Sequence, residues 1–318
     1  MKERDFDNHI RKESCSAAAA VLKKLERPQG KIDVVLDTDT FNEADDQFAL
    51  SYLVKSGGNL NIVGLFAAPF YNFRVRSPKE GMEKSYEEIL KLLRMLGRED
   101  LCSTVRRGSD RYLPSEEEAV ESEAADTLIE LAMQHSEENP LYVVNIACIT
   151  NLASALLKKP EIKERIVVLW LGGHSFEWPD THEFNMFQDI AAARVVMASG
   201  APVVLFPCMG VVSAFSVSGQ DLDRWLKGKN ELCDYLTKGV DDYVAAAYEP
   251  GEFWSKPIWD VVPIGWLKGE YTLDRFEISP LPSYDCQWER DNSRHLIRYV
   301  YHVRKDKLMA DLFTTLSM

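Results

Sequence analysis

Apolar residues run unbroken through "IDVVLD" (residues 32–37) and then recur at helical spacing through "DQFALSYLVKSGG". The first run suits a strand buried on both faces. The second reads as a helix that Gly57-Gly58 ends. "NIVGLFAAPF" is the next strand, and "GMEKSYEEILKLLRMLGRED" is an amphipathic helix with Ile89, Leu92, Leu93 and Leu96 on one face. The alternation continues with "ADTLIELAMQHS" as helix, "LYVVNIA" as strand, "TNLASALLKKPEI" as helix, "RIVVLWLGG" as strand, "DIAAARVVMASG" as helix and "PVVLFPC" as strand. This order predicts an α/β protein with a Rossmann-like, mixed but mainly parallel sheet flanked by helices. After about residue 215 the pattern loosens into aromatics and prolines. Residues 1–30 read as a polar helical arm ending at Pro28–Gly30, and residues 31–318 as a single α/β domain, with no repeat, low-complexity stretch or linker.

The junction of the first strand and helix, "VVLDTDTFNEADDQFAL", concentrates Asp37, Asp39, Glu43, Asp45 and Asp46. Ligands of such sheets sit outside the carboxyl ends of the strands, which is where these acids fall. Carboxylates crowded and buried together repel, so they need a cation or must take up protons. A hard divalent cation with oxygen ligands is the simplest remedy, and Ca²⁺ tolerates several carboxylates. The competing explanation is a solvated loop whose acids favour the helix N-terminus. An EF-hand does not fit, because Phe41 takes a ligand position and no Gly or terminal Glu completes the loop.

Composition narrows the partners. Of 318 residues, 46% are hydrophobic and 27% charged, which is ordinary for a globular protein. The net charge of −13 argues against nucleic acid, whose affinity comes from Lys and Arg on phosphate. No apolar run reaches the roughly 20 residues of a membrane span, and Ala17–Ala20 is too short for a signal-peptide core. The six cysteines are scattered with no CxxC pair, so neither disulfides nor a zinc scaffold is expected and a cytoplasmic location is the default.

Four segments, in order, resemble the inosine-uridine nucleoside hydrolase family. The first is the strand followed by Asp37, Asp39, Asp45 and Asp46, although "TFNEA" is two residues longer than the family's usual spacer. The second is "IACITNLASAL", which keeps Thr150-Asn151 but has Ala147-Cys148 for Gly-Pro. The third is "VVLWLGGHS" followed by "EFNMFQDIAAARVV". The fourth is "IWDVVPIGWL", with Trp259 in the place of a His.

The resemblance implies hydrolysis of ribonucleosides to ribose and free base, with Ca²⁺ as cofactor, a nucleoside as the small-molecule partner and a homodimer or homotetramer as the assembly. Asp39 would touch Ca²⁺ and act as base on its water. Asp46, Asp260 and the backbone carbonyl of Ile146 would complete the protein ligands. Asp45, Glu183 and Asn185 would hold the ribose hydroxyls, with Asn72 as a further candidate. Asp37 would support the cluster from behind its ligands, together with Asn151. Trp259 at this place resembles purine-preferring relatives, where a Trp stacks on the base.

The second face of the base is open to Phe70, Tyr71, Phe73, Trp178 or Trp254, and the leaving-group donor to His174 or His182. His295 and His302 read as structural. Gly172-Gly173 suits either a close ligand approach or a plain turn. "PSEEEAVESEAAD" reads as a solvated face leading into a helix, and Arg106-Arg107 as too short a basic run for an anionic partner. Two other functions remain. One is a haloacid-dehalogenase-like phosphatase with Asp37 as nucleophile and Mg²⁺. The other is a calcium and ribonucleoside binder without turnover.

Overall fold

The structure, a computed structural model, describes residues 21–318. Most of the expected N-terminal arm therefore lies outside the described residues; Val21–Lys24 form a helical turn at its end. The strands are β1 (Ile32–Thr38), β2 (Leu60–Ala67), β3 (Val105–Arg107), β4 (Leu141–Asn145), β5 (Ile166–Leu171), β6 (Val203–Phe206), β7 (Ser216–Val217), β8 (Lys256–Pro257), β9 (Thr272–Ile278), β10 (Leu281–Pro282), β11 (Trp288–Glu289) and β12 (Leu296–Val303). The α-helices are α1 (Asp45–Ser56), α2 (Pro78–Met95), α3 (Glu123–Met133), α4 (Thr150–Lys158), α5 (Phe184–Gln188), α6 (Ile190–Ala198), α7 (Gly219–Trp225), α8 (Glu231–Ala247), α9 (Val261–Lys268) and α10 (Lys305–Ser317).

Eight strands form one sheet in the order β3-β2-β1-β4-β5-β6-β12-β9. Every pairing is parallel except that of β9 with β12. This is the mixed, mainly parallel sheet that the alternating pattern predicts. The strands are apolar throughout because both faces are covered. Val34, Leu36, Val144, Leu169 and Phe206 pack into one core. Their strand neighbours Val35, Val143, Val168, Trp170 and Leu205 pack into the other. Each such side chain contributes about 1.5–3 kcal/mol on burial, which fixes register, since a one-residue slip would exchange the two faces.

Helix ends follow local chemistry. Expected at Gly81, helix α2 begins at Pro78, because Ser77 accepts a hydrogen bond from the Glu80 N–H at 3.2 Å and Pro78 already holds a helical φ. In the same way Ser122 caps α3 through the Ala125 N–H at 3.1 Å. The acidic stretch before it is partly anchored, since Glu116 pairs with Arg194 at 2.6 Å. The short run Arg106-Arg107 lies in edge strand β3, where Arg107 pairs with Glu83.

The largest departure from the sequence expectation lies beyond residue 215. That region holds the 17-residue helix α8 and two full sheet strands, β9 and β12. Strand β9 is at the sheet edge and largely exposed, so its sequence "TLDRFEI" carries no buried-strand signature. Among the described residues, no helix is long and apolar enough to cross a membrane.

Candidate active site

Strand β1 is where the sheet's order reverses: the chain builds outward through β2 and β3 on one side and through β4, β5 and β6 on the other. In open α/β sheets such a point leaves a crevice at the strands' carboxyl ends. Asp37 on β1 lies in register with Asn145 on β4, and the Ile146 N–H donates to the Asp37 carbonyl at 2.9 Å. Asp39 therefore leaves β1 beside the point where Ile146 leaves β4.

Asp37 is fully buried, and both of its oxygens are taken. Asn145 Nδ2 and Asn151 Nδ2 each donate to it at 2.9 Å. Burial pushes its pKa up to about 7, against the lowering effect of the two amides. Asn151 in turn accepts from the Ser109 N–H and hydroxyl at 2.7 and 2.9 Å, tying β1 to α4 and the β3–α3 loop. Gly108 permits this approach, because a Cβ there would sit 2.1 Å from the Ala67 carbonyl and 2.5 Å from Asn151. Thr150 does not face the site; its hydroxyl donates to Asp189 at 2.6 Å. Asp37 is buried and does not line the cavity that the neighbouring acids form, which argues against the nucleophile that the phosphatase reading needs.

The acids beyond it converge. Asp45, Asp46 and Asp260 bring ligand oxygens within 4.8 Å of one another, all buried. The first two open α1 without a side-chain cap, so they lie where the helix end is electropositive. Thr38 donates to Asp46, and Asp260 precedes α9. Asp39 is 1% exposed, and its Oδ2 is buried with no hydrogen-bond partner among the described residues. Desolvation, then repulsion from Asp46, Asp45 and Glu43, pushes Asp39 well above the carboxylate range. Desolvation, then Asp45, raises Asp46 to about 7. Asp260 rises for the same reasons.

These acids line a cavity of about 210 Å³ together with Ile146, Asn42, Glu43, Leu171, His174, His182, Glu183, Phe184, Asn185, Cys208, Met209 and Trp259. The structure thus brings together Asp39, Asp45, Asp46, Ile146, Glu183, Asn185, Trp259 and Asp260, with Asp37 and Asn151 directly behind. Glu183 is aimed by backbone donors: Gly173 N–H at 2.9 Å, Asn185 N–H at 2.9 Å and Met186 N–H at 3.0 Å. Gly173 holds φ +69°, and a Cβ would meet Thr181, Trp288 and Met186 within 2.8 Å, so the double glycine is a tight turn that presents this N–H. Asn185 donates to the Leu171 carbonyl at 3.0 Å.

Asn72 is the exception among the expected sugar contacts. It does not line this cavity; its Nδ2 donates at 2.7 Å to Oδ1 of Asn42, which does. Nor do Phe70, Tyr71, Phe73, Trp178 or Trp254 line it; Phe184 and Met209 share it with Trp259 instead. Phe70 is fully buried in the protein interior. Both candidate donors, His174 and His182, do line it.

Nothing in the sequence around Lys256 marks it as part of the site. It is 1% exposed on β8, donates to Glu43 and lies 3.6 Å from Asp45. A buried ammonium needs such partners, and the two carboxylates outweigh desolvation, so its pKa is raised. It neutralises part of the surplus charge that the longer loop introduces through Glu43.

The remaining surplus suits a hard cation. The donor set is all oxygen, the carboxylates converge, and the buried Asp39 Oδ2 lacks a protein partner. Asp45, Asp46 and Asp260 are the carboxylates whose oxygens converge on one point, and Asp39 and Ile146 line the same cavity.

The family model for inosine-uridine preferring nucleoside hydrolase matches residues 34–281. A pyrimidine-specific ribonucleoside hydrolase RihA from Klebsiella pneumoniae (strain 342) is 26% identical over 210 residues, covering 58% of this chain and 66% of that one. A plant nucleoside hydrolase structure superposes with a TM-score of 0.71 at 18% identity, covering 90% of this chain and 99% of that one. A purine-preferring ribonucleoside hydrolase from Gardnerella vaginalis gives 0.70 at 19% identity, covering 90% and 98%.

Two measurements probe the cluster without substrate. Asp46 titrates near 7 in the fold against an ordinary 3.8, so between these values the metal-free native state binds more protons than the unfolded chain. Stability then falls as pH rises through that window. Melting of chelated protein should drop from pH 4 to 7, and Ca²⁺ should flatten the profile; a melting point that rises across the window contradicts the assignment. Lys256→Met should cost roughly 3 kcal/mol in urea unfolding, the low end for a broken buried pair because Glu43 is partly exposed, with partial recovery on adding Glu43→Gln. Unchanged stability would show that the pair is not a structural requirement.

Proposed function

The chain belongs to the inosine-uridine preferring nucleoside hydrolase family, which is metal-dependent, and we propose that it hydrolyses the N-glycosidic bond of ribonucleosides, with Ca²⁺ as its cation and a preference for purine nucleosides. The observation that carries this reading is the set of buried, converging carboxylates, with the Asp39 Oδ2 unpartnered inside the cavity.

Breaking this bond passes through a sugar with oxocarbenium character, so positive charge develops on the ribose. Carboxylates fixed nearby favour that charge without reorganising. Bound Ca²⁺ would orient a water and make it more acidic. Asp39, whose Oδ2 has no protein partner and which lines the cavity, would take the proton from that water. Glu183 caps the short helix α5 and Asn185 lies in its first turn, where hydrogen bonds with the backbone hold them for the ribose hydroxyls. Fixed hydroxyl contacts turn binding energy into orientation at the reacting carbon. Asn42 joins them as a cavity-facing amide, and Asn72 acts behind it rather than on the sugar.

Trp259 supports the purine preference. It is half-buried, packs against the core on one side and lines the cavity on the other. A purine offers the larger stacking face, and its protonated form is attracted to the indole. The printed name of the Klebsiella relative specifies pyrimidines, and that of the Gardnerella structure purines. The substrate test therefore has a real alternative.

Base release from inosine, guanosine, adenosine, uridine and cytidine, followed by chromatography with Ca²⁺ or chelator, checks this reading. Release should require the metal, be fastest with purines and fall by at least about 10³-fold in Asp39→Asn. Trp259→Ala should raise KM for purine nucleosides more than for uridine. Faster release from uridine would overturn the purine preference. Tight ribonucleoside binding with no release at all would replace hydrolysis by a binding function.

A further inference from the structure

The family resemblance implies a His before the late Asp, and this chain has Trp259 there, so the departing base has no partner at that position. The loops after β5 and β6 supply an imidazole elsewhere in the cavity. His174 follows the tight Gly172-Gly173 turn, is 9% exposed and lines the cavity. Its backbone is pinned on both sides: its N–H donates to Thr181 Oγ1 at 3.2 Å, and its carbonyl accepts from Trp288 Nε1 at 3.0 Å. The ring is set edge-on against Trp178, with centroids 6.0 Å apart.

One ring nitrogen is already committed. The Met209 N–H donates to Nδ1 at 3.3 Å. A nitrogen that accepts carries no proton, so the neutral ring has its hydrogen on Nε2. The Gly173 carbonyl also acts on the ring, but makes no well-aligned hydrogen bond with it. Burial also disfavours the imidazolium, which favours the neutral ring. The charges acting on the ring are those of Asp180 and His182, with no contribution from the acid cluster. The imidazole lines the same cavity as Trp259, carried on the loop after β5 rather than on the segments that supply the acid cluster.

We propose that His174, resting on the hydrolase reading above, donates a hydrogen bond from Nε2 to the departing base. As the C1′–N bond breaks, its electron pair stays on the base nitrogen, and the Nε2–H meets an acceptor atom of the ring and stabilises the developing negative charge. Oxygen from water bonds to C1′, Asp39 takes that water's proton, and the base collects its own proton from solvent after the bond has broken. The imidazole begins and ends neutral. A fixed donor aimed at developing charge contributes on the order of 10²-fold in rate.

The test compares leaving groups. p-Nitrophenyl β-D-ribofuranoside expels an anion that spreads its charge over its own ring and needs no donor. His174→Phe should lower kcat for the best ribonucleoside on the order of 10²-fold, while p-nitrophenyl riboside turnover stays within about 3-fold and serves as a check of folding in the same protein. His174→Gln, which keeps an N–H donor, should recover at least about 10-fold of the nucleoside rate. Equal losses on both substrates in both variants, or no loss on the nucleoside, would overturn the assignment. So would the same split appearing in His182→Ala and not in the His174 variants. If the parent protein cleaves neither substrate, the hydrolase reading itself fails and takes this assignment with it.

Discussion

Carboxylates brought together out of water cannot all keep their charge unless positive charge joins them. In this protein that constraint acts at one place, the crevice beside the carboxyl ends of β1 and β4. Asp39, Asp45, Asp46 and Asp260 meet there, each 4% exposed or less. The surrounding fold keeps them there. The sheet's order reverses at β1, helix α1 begins on Asp45, and Asp260 is delivered from the far end of the chain just before α9. The groups that answer this charge come from the protein and from solution. Lys256 answers part of it from within, the helix end another part, and a hard cation is the natural partner for the rest.

The same arrangement serves chemistry because what repels in the resting state is useful during reaction. In the proposed reaction, a ribose that becomes cationic as it loses its base would be stabilised by fixed anions that need not move. The neutral Asn amides behind Asp37 show how the protein separates these roles. Asp37 is fully satisfied and holds the frame, whereas Asp39 keeps an unpartnered oxygen inside the cavity. Glu183 sits between these extremes, aimed by three N–H donors and still lining the cavity.

Much of this was legible in the sequence because it is local. The β-branched run into Asp37 and Asp39, the helix opening on Asp45 and Asp46, and the Glu183–Asn185 block each declare themselves within ten or so residues. The central parallel strands were legible for the same reason, since burial on both faces leaves an unbroken apolar run. What escaped depends on distance or on partial burial. Lys256 meets Glu43 across 213 positions, and nothing near Lys256 marks it as buried. Asn72 was a reasonable sugar contact by its place after β2, yet the longer loop puts Asn42 between it and the cavity. Strands β9 and β12 were missed because an edge strand and its antiparallel neighbour mix charged and apolar residues. The choice of aromatics depended on loop geometry, so Phe184 was passed over for more conspicuous residues.

The central claim is that this buried cluster exists to hold a cation. The most direct measurement is calorimetric titration of metal-free protein with Ca²⁺ at pH 7, run in two buffers of different ionisation enthalpy. Carboxylates whose pKa values burial and mutual repulsion have raised, Asp46 to about 7, must give up protons when the ion arrives. Binding should saturate at a single site with net proton release, seen as a buffer-dependent heat, and be lost in Asp46→Asn. No binding below about 1 mM, or binding unaffected by Asp46→Asn, would contradict it.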